Sequence, residues 1–205
     1  MRRQKAPSIR IFAGQWRRRH LEVPAGARPT SGRAREALFS ILQKRIPGAR
    51  VLDLYAGSGA VGIEAISRGA DRAVLVDRDA AVLRKNLARL PPAQGEIEIL
   101  EEDSDAALDR LASRGVRFDL VFSDPPYARG SPSPDPRARV ARVLAPEGIF
   151  VLQIDRFEAW PSDSHDLRLL DRREYGRNVF VFFARNRDIR VSGRGTGSCR
   201  RHTHP

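Results

Sequence analysis

The chain has 205 residues, 41% hydrophobic and 30% charged, the profile of one ordinary globular domain. No apolar run approaches the ~20 residues of a membrane span. The basic start of the chain leads into no apolar segment of the secretory kind, and the single cysteine, Cys199, excludes an internal disulfide and a cysteine-based metal cluster. One cysteine suits a reducing cytoplasm, and a cytoplasmic location is the expectation. The net charge of +12 is uneven. Residues 1–45 carry 12 basic and 2 acidic side chains, residues 185–205 carry 6 and 1, and the centre is slightly acidic. A near-neutral body with two cationic ends points to a polyanionic partner, most simply nucleic acid, and not to a membrane.

Residues 1–8 and 186–205 read as disordered basic ends; the tail is rich in Arg, Gly, Ser and Thr. His202 and His204 lie there without further ligands in sequence, so no metal site is expected. Residues 9–47 form an N-terminal unit. Ile9–Phe12 and His20–Val23 alternate apolar and polar around a basic turn and predict a β-hairpin. Residues 28–46 predict a helix, with Thr30 or Ser31 as N-cap and Ala37, Leu38, Ile41, Leu42 and Ile46 as its apolar stripe. Pro47-Gly48 ends it.

Over residues 48–185 strands alternate with helices. The strands expected are Arg50–Tyr55, Ala73–Val76, Glu96–Leu100, Phe118–Phe122 and Ile149–Ile154. Helices are expected at Asp79–Arg89, Asp105–Ser113 and in a short segment ending near Leu144. Leu167–Arg173 and Asn178–Ala184 read as a closing hairpin around Tyr175-Gly176. This rhythm predicts an α/β, Rossmann-like fold: a mostly parallel seven-stranded sheet, helices on both faces, a C-terminal antiparallel hairpin and an N-terminal hairpin arm.

The first strand of the body runs into VLDLYAGSGAVGIEA. Gly57 and Gly59, between a buried strand and a helix, let a ligand approach the backbone. Asp77, twenty residues beyond Gly57, stands where an acid can hold both ribose hydroxyls. The pattern is not the dinucleotide hexad. Asp53, four residues before Gly57, would repel a pyrophosphate and suits a cationic or zwitterionic ligand such as S-adenosylmethionine. Asp103, with Ser104 beside it, is either an adenine-side contact or the cap of the following helix, or both. The candidate cofactor set is Asp53, Tyr55, Gly57, Ser58, Gly59, Asp77, Arg78, Asp103, Ser104 and Ser123.

The fourth strand ends Ser123-Asp124-Pro125-Pro126-Tyr127. Ligands of open α/β sheets sit beyond the carboxyl ends of strands. Prolines remove N–H groups and leave carbonyls free to accept. The Asp124 carboxylate and the Pro125 carbonyl can therefore accept both protons of an exocyclic amine, localising electron density on its nitrogen. Tyr127 can stack on an extruded base. The candidate catalytic residues are Asp124, Pro125, Pro126 and Tyr127.

These stretches carry a resemblance. IRIFAGQWRRRHLEVP with RPTSGRAREALFSIL, then LDLYAGSGAVGIEAISRGA, SDPPY and EYGRNVFVFF, from about Ile9 to Ala184, resemble the RsmD-type methyltransferases. The resemblance implies a class I methyltransferase domain at 48–185 with S-adenosylmethionine as cofactor. It also implies an RNA-contacting arm at 9–47, and methylation of a guanine N2 in small-subunit (16S) ribosomal RNA, guanine 966 in the usual rRNA numbering, on assembling 30S particles. The departures are Gly32 and Gln153 where the family tends to have acids, Arg18 where it often has Gly, Asp77 where it usually has Glu, and a proline-rich stretch after Tyr127. A monomer is expected.

Arginine forks pair with phosphates and stack on bases. The candidate RNA contacts are Trp16, Arg17, Arg18, Arg19, Arg28, Arg33 and Arg35. Trp16 serves equally well to pack the arm onto the body, and Arg35 with Glu36 as a solvated helix face. Two alternatives stay open: methylation of adenine N6 or another RNA or DNA amine, and an RNA-binding assembly factor without turnover.

Overall fold

The structure, a computed structural model, describes residues 8–26, 30–126, 135–157 and 166–186. Two short antiparallel strands, β1 (Ser8–Arg10) and β2 (His20–Glu22), precede helix α1 (Gly32–Leu42). The body follows as β3 (Arg50–Leu54), α2 (Ala60–Ser67), β4 (Arg72–Asp77), α3 (Ala81–Leu87), β5 (Glu96–Glu101), α4 (Ser104–Ser113), β6 (Phe118–Ser123), α5 (Arg137–Val143) and β7 (Leu144–Asp155). The hairpin β8 (Leu167–Tyr175) and β9 (Asn178–Arg185) closes it.

Seven strands form one sheet in the order β5-β4-β3-β6-β7-β9-β8. The first five in that order are parallel, and β9 runs antiparallel to both its neighbours. The central strands are buried on both faces, which is why Val51–Leu54 and Ala73–Val76 read as near-continuous apolar runs. Each face carries its own core. Leu38, Phe39 and Leu42 of α1 and Ile63 and Ile66 of α2 pack with Val51, Ala73 and Leu75 on one side. Leu108 and Leu111 of α4 and Val140 and Val143 of α5 pack with Leu52, Val74 and Val121 on the other. The sheet order reverses direction at β3/β6, so the carboxyl ends of these two strands open onto the crevice where such folds bind ligands.

Two boundaries differ from the sequence-based expectation. The helix expected over 28–46 is α1, Gly32–Leu42, capped by the Ser31 hydroxyl accepting the Ala34 N–H at 3.2 Å. The chain then leaves the helical path in a turn, Arg45 N–H to Leu42 O at 2.8 Å, that keeps Ile46 in the core. The strand expected from Ile149 begins at Leu144, which pairs with Phe118. A register shift between Phe118 and Leu120 absorbs the additional residues.

The N-terminal arm is clasped to α2. Glu64, fully buried, accepts the N–H groups of Phe12 (2.8 Å) and Ala13 (3.1 Å) and the Arg68 guanidinium (2.8 Å). Ser67 accepts the Trp16 N–H on its hydroxyl and the Gln15 N–H on its carbonyl, and donates to Ala13 O. Gly14, at φ +82°, lies so close that a Cβ would stand 1.5 Å from Ser67 O. At the other end of the arm, buried Asn86 accepts the Glu22 N–H and donates to Glu22 O and Ser58 O, tying β2 to the glycine loop. Among the described residues no helix is long and apolar enough to cross a membrane.

Candidate active site

The glycine loop leaves β3 through Tyr55, whose φ of +59° is unusual for a non-glycine residue, and enters α2 at Gly59. Gly59 is required twice over: its φ is +78°, and a Cβ would stand 2.4 Å from Leu83 Cδ1. The loop is held from within by acids. Asp53, buried at the end of β3, accepts the Gly62 N–H at 2.8 Å. Asp77, at the end of β4, accepts the Gly57 N–H at 2.6 Å and the Asp79 N–H at 3.0 Å. Each carboxylate oxygen has two lone pairs, so Asp77 keeps acceptor capacity for a ligand.

Asp103 is the cap of α4, one of the two roles expected of it, and is also paired with Arg78. Its Oδ1 caps α4 through the Asp105 N–H (2.8 Å), and its Oδ2 takes the exposed Arg78 guanidinium. That pairing holds the Asp103 carboxyl below the usual range. Ser104 is buried and hydrogen-bonded to the half-buried Tyr55 hydroxyl, whose pKa burial pushes up. Ser58 is buried in the loop, and its carbonyl is taken by Asn86. The hydroxyl of Ser123 is buried without a hydrogen-bond partner among the described residues.

Asp124 follows β6 directly, beside Gln153 of the neighbouring β7, because Ser123 pairs with Leu152. Gln153 Nε2 donates to Asp124 Oδ2 at 2.9 Å. Thr30, just before α1, completes the group: its hydroxyl donates to Gln153 Oε1 at 2.9 Å and stands 3.4 Å from the same Asp124 oxygen. Asn178 accepts from Gln153 at 3.3 Å and donates to the Ser31 hydroxyl at 3.4 Å. Pro125 is buried and Pro126 exposed. Tyr127 lies outside the described residues.

Desolvation dominates the electrostatics. It raises the pKa of Asp124 to about 7, against a smaller lowering by Thr30. Asp53 also rises to about 7, first by burial, offset by the Gly62 N–H, and then by the negative charges of Asp124 and Asp77. The charges of Asp124 and Asp77 thus oppose the ionisation of Asp53 in the crevice at the carboxyl ends of β3, β4 and β6. A cation entering it relieves both the repulsion and the desolvation. The donor set thus fits a ligand with a sulfonium and an ammonium group, and it opposes a pyrophosphate. Asp53, Gly57, Gly59, Asp77 and the Tyr55–Ser104 pair are the residues that would hold it.

The arm does not present all the residues expected to meet RNA. Trp16 is a correction: it is 3% exposed, packed in the core, and its Nε1 donates to Pro91 O at 3.1 Å. Arg35 is another. It is 2% exposed, donates to Arg10 O at 2.6 Å and lies over the Phe12 ring at 4.8 Å. Neither side chain reaches solvent, since both lock the arm to the body. Arg17, Arg18, Arg19 and Arg33 are exposed, and none has an ion-pair partner among the described residues. Arg33 sits at the start of α1, next to Thr30 and the crevice. The turn bearing Arg17–Arg19 docks through Gln15 and Trp16 at the far end of α2, one helix length, about 12 Å, from Gly59. Arg28 lies outside the described residues, as do Cys199, His202 and His204.

Three site residues escaped the sequence reading. Thr30 was legible only as a helix cap, Gln153 only as a departure from a family pattern, and Asn178 only as a hairpin residue. The signal for Gln153 was strand register, which becomes visible once β6 and β7 are paired.

The family model for conserved hypothetical protein 95 matches residues 9–184. Ribosomal RNA small subunit methyltransferase D of Escherichia coli (strain K12) is 46% identical over 127 residues, 60% of this chain and 62% of that one. The match thus spans about three-fifths of that relative's length. YlbH of Bacillus subtilis (strain 168) is 32% identical over 178 residues, covering 82% of this chain and 94% of that one. The solved structure of yhhF from Escherichia coli superimposes with a TM-score of 0.71 at 34% identity, over 87% of this chain and 98% of that one. The chain belongs to this family, the RsmD-type methyltransferases.

Proposed function

We propose that this chain transfers a methyl group from S-adenosylmethionine to the exocyclic N2 of a guanine in small-subunit (16S) ribosomal RNA. The observation that carries the reading is the Asp124 carboxylate, held by Gln153 at the carboxyl end of β6 and facing the same crevice as Asp53 and Asp77. The relative named ribosomal RNA small subunit methyltransferase D supports the substrate class, and the free arginines at 17–19 and 33 supply cations for its phosphates.

When bound, S-adenosylmethionine supplies a methyl group activated by the adjacent sulfonium. The protein's contribution is binding, orientation and proton handling. Asp77 holds the ribose hydroxyls, and Asp53 faces the positive end of the ligand. Asp124 and the Pro125 carbonyl accept hydrogen bonds from the target amine and keep its lone pair out of the base ring. Transfer of the cofactor's methyl group to that nitrogen would leave the amine one proton in surplus, which the Asp124 carboxylate accepts. Tyr127, the last residue of the motif, is the stacking partner we propose for the extruded base. Assembling 30S particles are the substrate form we propose, and the chain acts as a monomer.

The test is transfer of labelled methyl to 30S particles, naked rRNA and DNA, with the modified nucleoside identified by mass. N2-methylguanosine from rRNA, strongest on particles, is the expected result. N6-methyladenine would overturn the target. No transfer to any substrate, with cofactor still bound, would leave a binding protein instead.

A further inference from the structure

We propose that Phe157, with Arg156 and Arg177, forms a second nucleotide-binding platform. It takes an unpaired base next to the one being methylated, at the carboxyl end of β7. The proposal rests on the RNA substrate proposed above and names a part of the molecule that contacts it.

Phe157 is 78% exposed, well above Ile41, Leu169 and Leu170, the other large apolar side chains at the surface among the described residues. A single exposed apolar residue means little by itself. Its surroundings distinguish this one. The Arg156 guanidinium lies 5.4 Å and the Arg177 guanidinium 5.9 Å from the ring centroid. An aromatic ring flanked by guanidinium groups offers a base a stacking surface and its phosphates a positive field.

The platform is also built. Asp155, the last residue of β7, accepts the Phe157 N–H at 3.2 Å and the Arg177 guanidinium at 2.8 Å. The Arg156 N–H donates to Arg177 O at 2.9 Å. These bonds join the end of β7 to the β8–β9 turn, so the ring stands on the sheet. Asp155 partly neutralises Arg177. Arg156 has no carboxylate partner among the described residues, which leaves it for a phosphate.

Position completes the argument. Gln153 touches Asp124, and Phe157 follows it by four residues in the direction that β7 leaves the sheet, within about 14 Å along the chain. The ring therefore lies on the rim where the reaction is proposed. The Arg17–Arg19 turn lies at the far end of α2. An RNA strand feeding one base to Asp124 meets the Phe157 rim with a neighbouring nucleotide.

The test uses the full chain and two readouts: affinity for a fluorescein-labelled single-stranded RNA of mixed sequence across salt concentrations, and methyl transfer to 16S rRNA. Phe157→Ala is expected to weaken RNA binding about tenfold, with the salt dependence unchanged and S-adenosylmethionine binding retained; Phe157→Trp restores the affinity. Arg156→Ala is expected to make the salt dependence shallower by about one phosphate contact. RNA affinity equal to wild type in Phe157→Ala, or no RNA binding by the wild type, overturns the platform. An active wild type whose KM for rRNA is unmoved by Phe157→Ala also overturns it and leaves the proposed reaction standing. An inactive wild type that binds RNA in a Phe157-dependent way does the reverse.

Discussion

Replacing Asp124 by asparagine should stabilise the ligand-free protein while abolishing methyl transfer, and the gain should depend on pH. The native pKa of Asp124 is about 7, against 3.8 for an unperturbed carboxyl. Between these values the native state holds more protons than the unfolded chain. Stability therefore falls as pH rises from about 4 and levels off above about 7. Three pKa units at 1.36 kcal/mol each set a ceiling of about 4 kcal/mol. Asp124 is only half-buried, and water on its open side reduces this to about 2 kcal/mol. Asparagine fits the same contacts: its carbonyl oxygen takes the place of Oδ2, accepting from Gln153 Nε2 beside the Thr30 hydroxyl, which continues to donate to Gln153 Oε1, and its amide takes the place of Oδ1. Urea unfolding of both proteins at pH 5 and pH 8 measures the difference. The variant should exceed wild type by about 1 kcal/mol at pH 5 and by about 2 kcal/mol at pH 8, since pH 5 already lies above the unfolded pKa. An equal difference at the two pH values would show that Asp124 is not an ionisable group held against its preference, and would refute the electrostatic account of the site.

Four further outcomes follow from the geometry. Thr30→Val should lower kcat several-fold with S-adenosylmethionine affinity unchanged, and shift the acid limb of the pH–rate profile, because it removes the hydroxyl fixing Gln153 against Asp124. Asp77→Ala should weaken S-adenosylmethionine binding about tenfold or more by calorimetry, since it removes both the ribose acceptor and the anchor of the Gly57 N–H. Gly14→Ala should cost about 3 kcal/mol and open the arm to trypsin at Arg17–Arg19, the required Cβ being incompatible with Ser67 O. Arg17, Arg18 and Arg19 changed together to Ala should make the salt dependence of rRNA binding shallower, read by titration at several salt concentrations; an unchanged slope would remove this turn from the RNA path.

The α/β sheet, its closing hairpin and the glycine loop were legible because they rest on local signals. Buried parallel strands are continuous apolar runs, turns carry Gly and Pro, and the loop's glycines answer to φ and to Leu83. Arg35 and Trp16 were misread for one reason. Their chemistry suits RNA, and sequence alone does not show that Arg10 O, the Phe12 ring and Pro91 O already occupy them. Glu64 is the clearest omission. An acid inside an apolar helix looks like a solvated position, yet it is the buried acceptor on which the arm docks. The contacts joining Thr30, Asp124, Gln153 and Asn178 span up to 123 residues and leave no local pattern.

The price of this site is electrostatic. Asp53 and Asp124 are both held near a pKa of about 7, and each raised value records free energy that the fold supplies to keep a carboxyl group out of water. A cationic ligand favours the ionised form of both groups, so binding and deprotonation are linked. S-adenosylmethionine affinity should therefore rise as pH increases from 6 to 8, with proton release on binding that is largest near pH 7. Calorimetry in buffers of different ionisation enthalpy reads that release directly. Proton uptake instead of release would mean that the ligand's positive end lies elsewhere. Release that persists in Asp124→Asn and vanishes in Asp53→Asn would assign the coupling to the carboxyl at the end of β3, leaving Asp124 to the target amine.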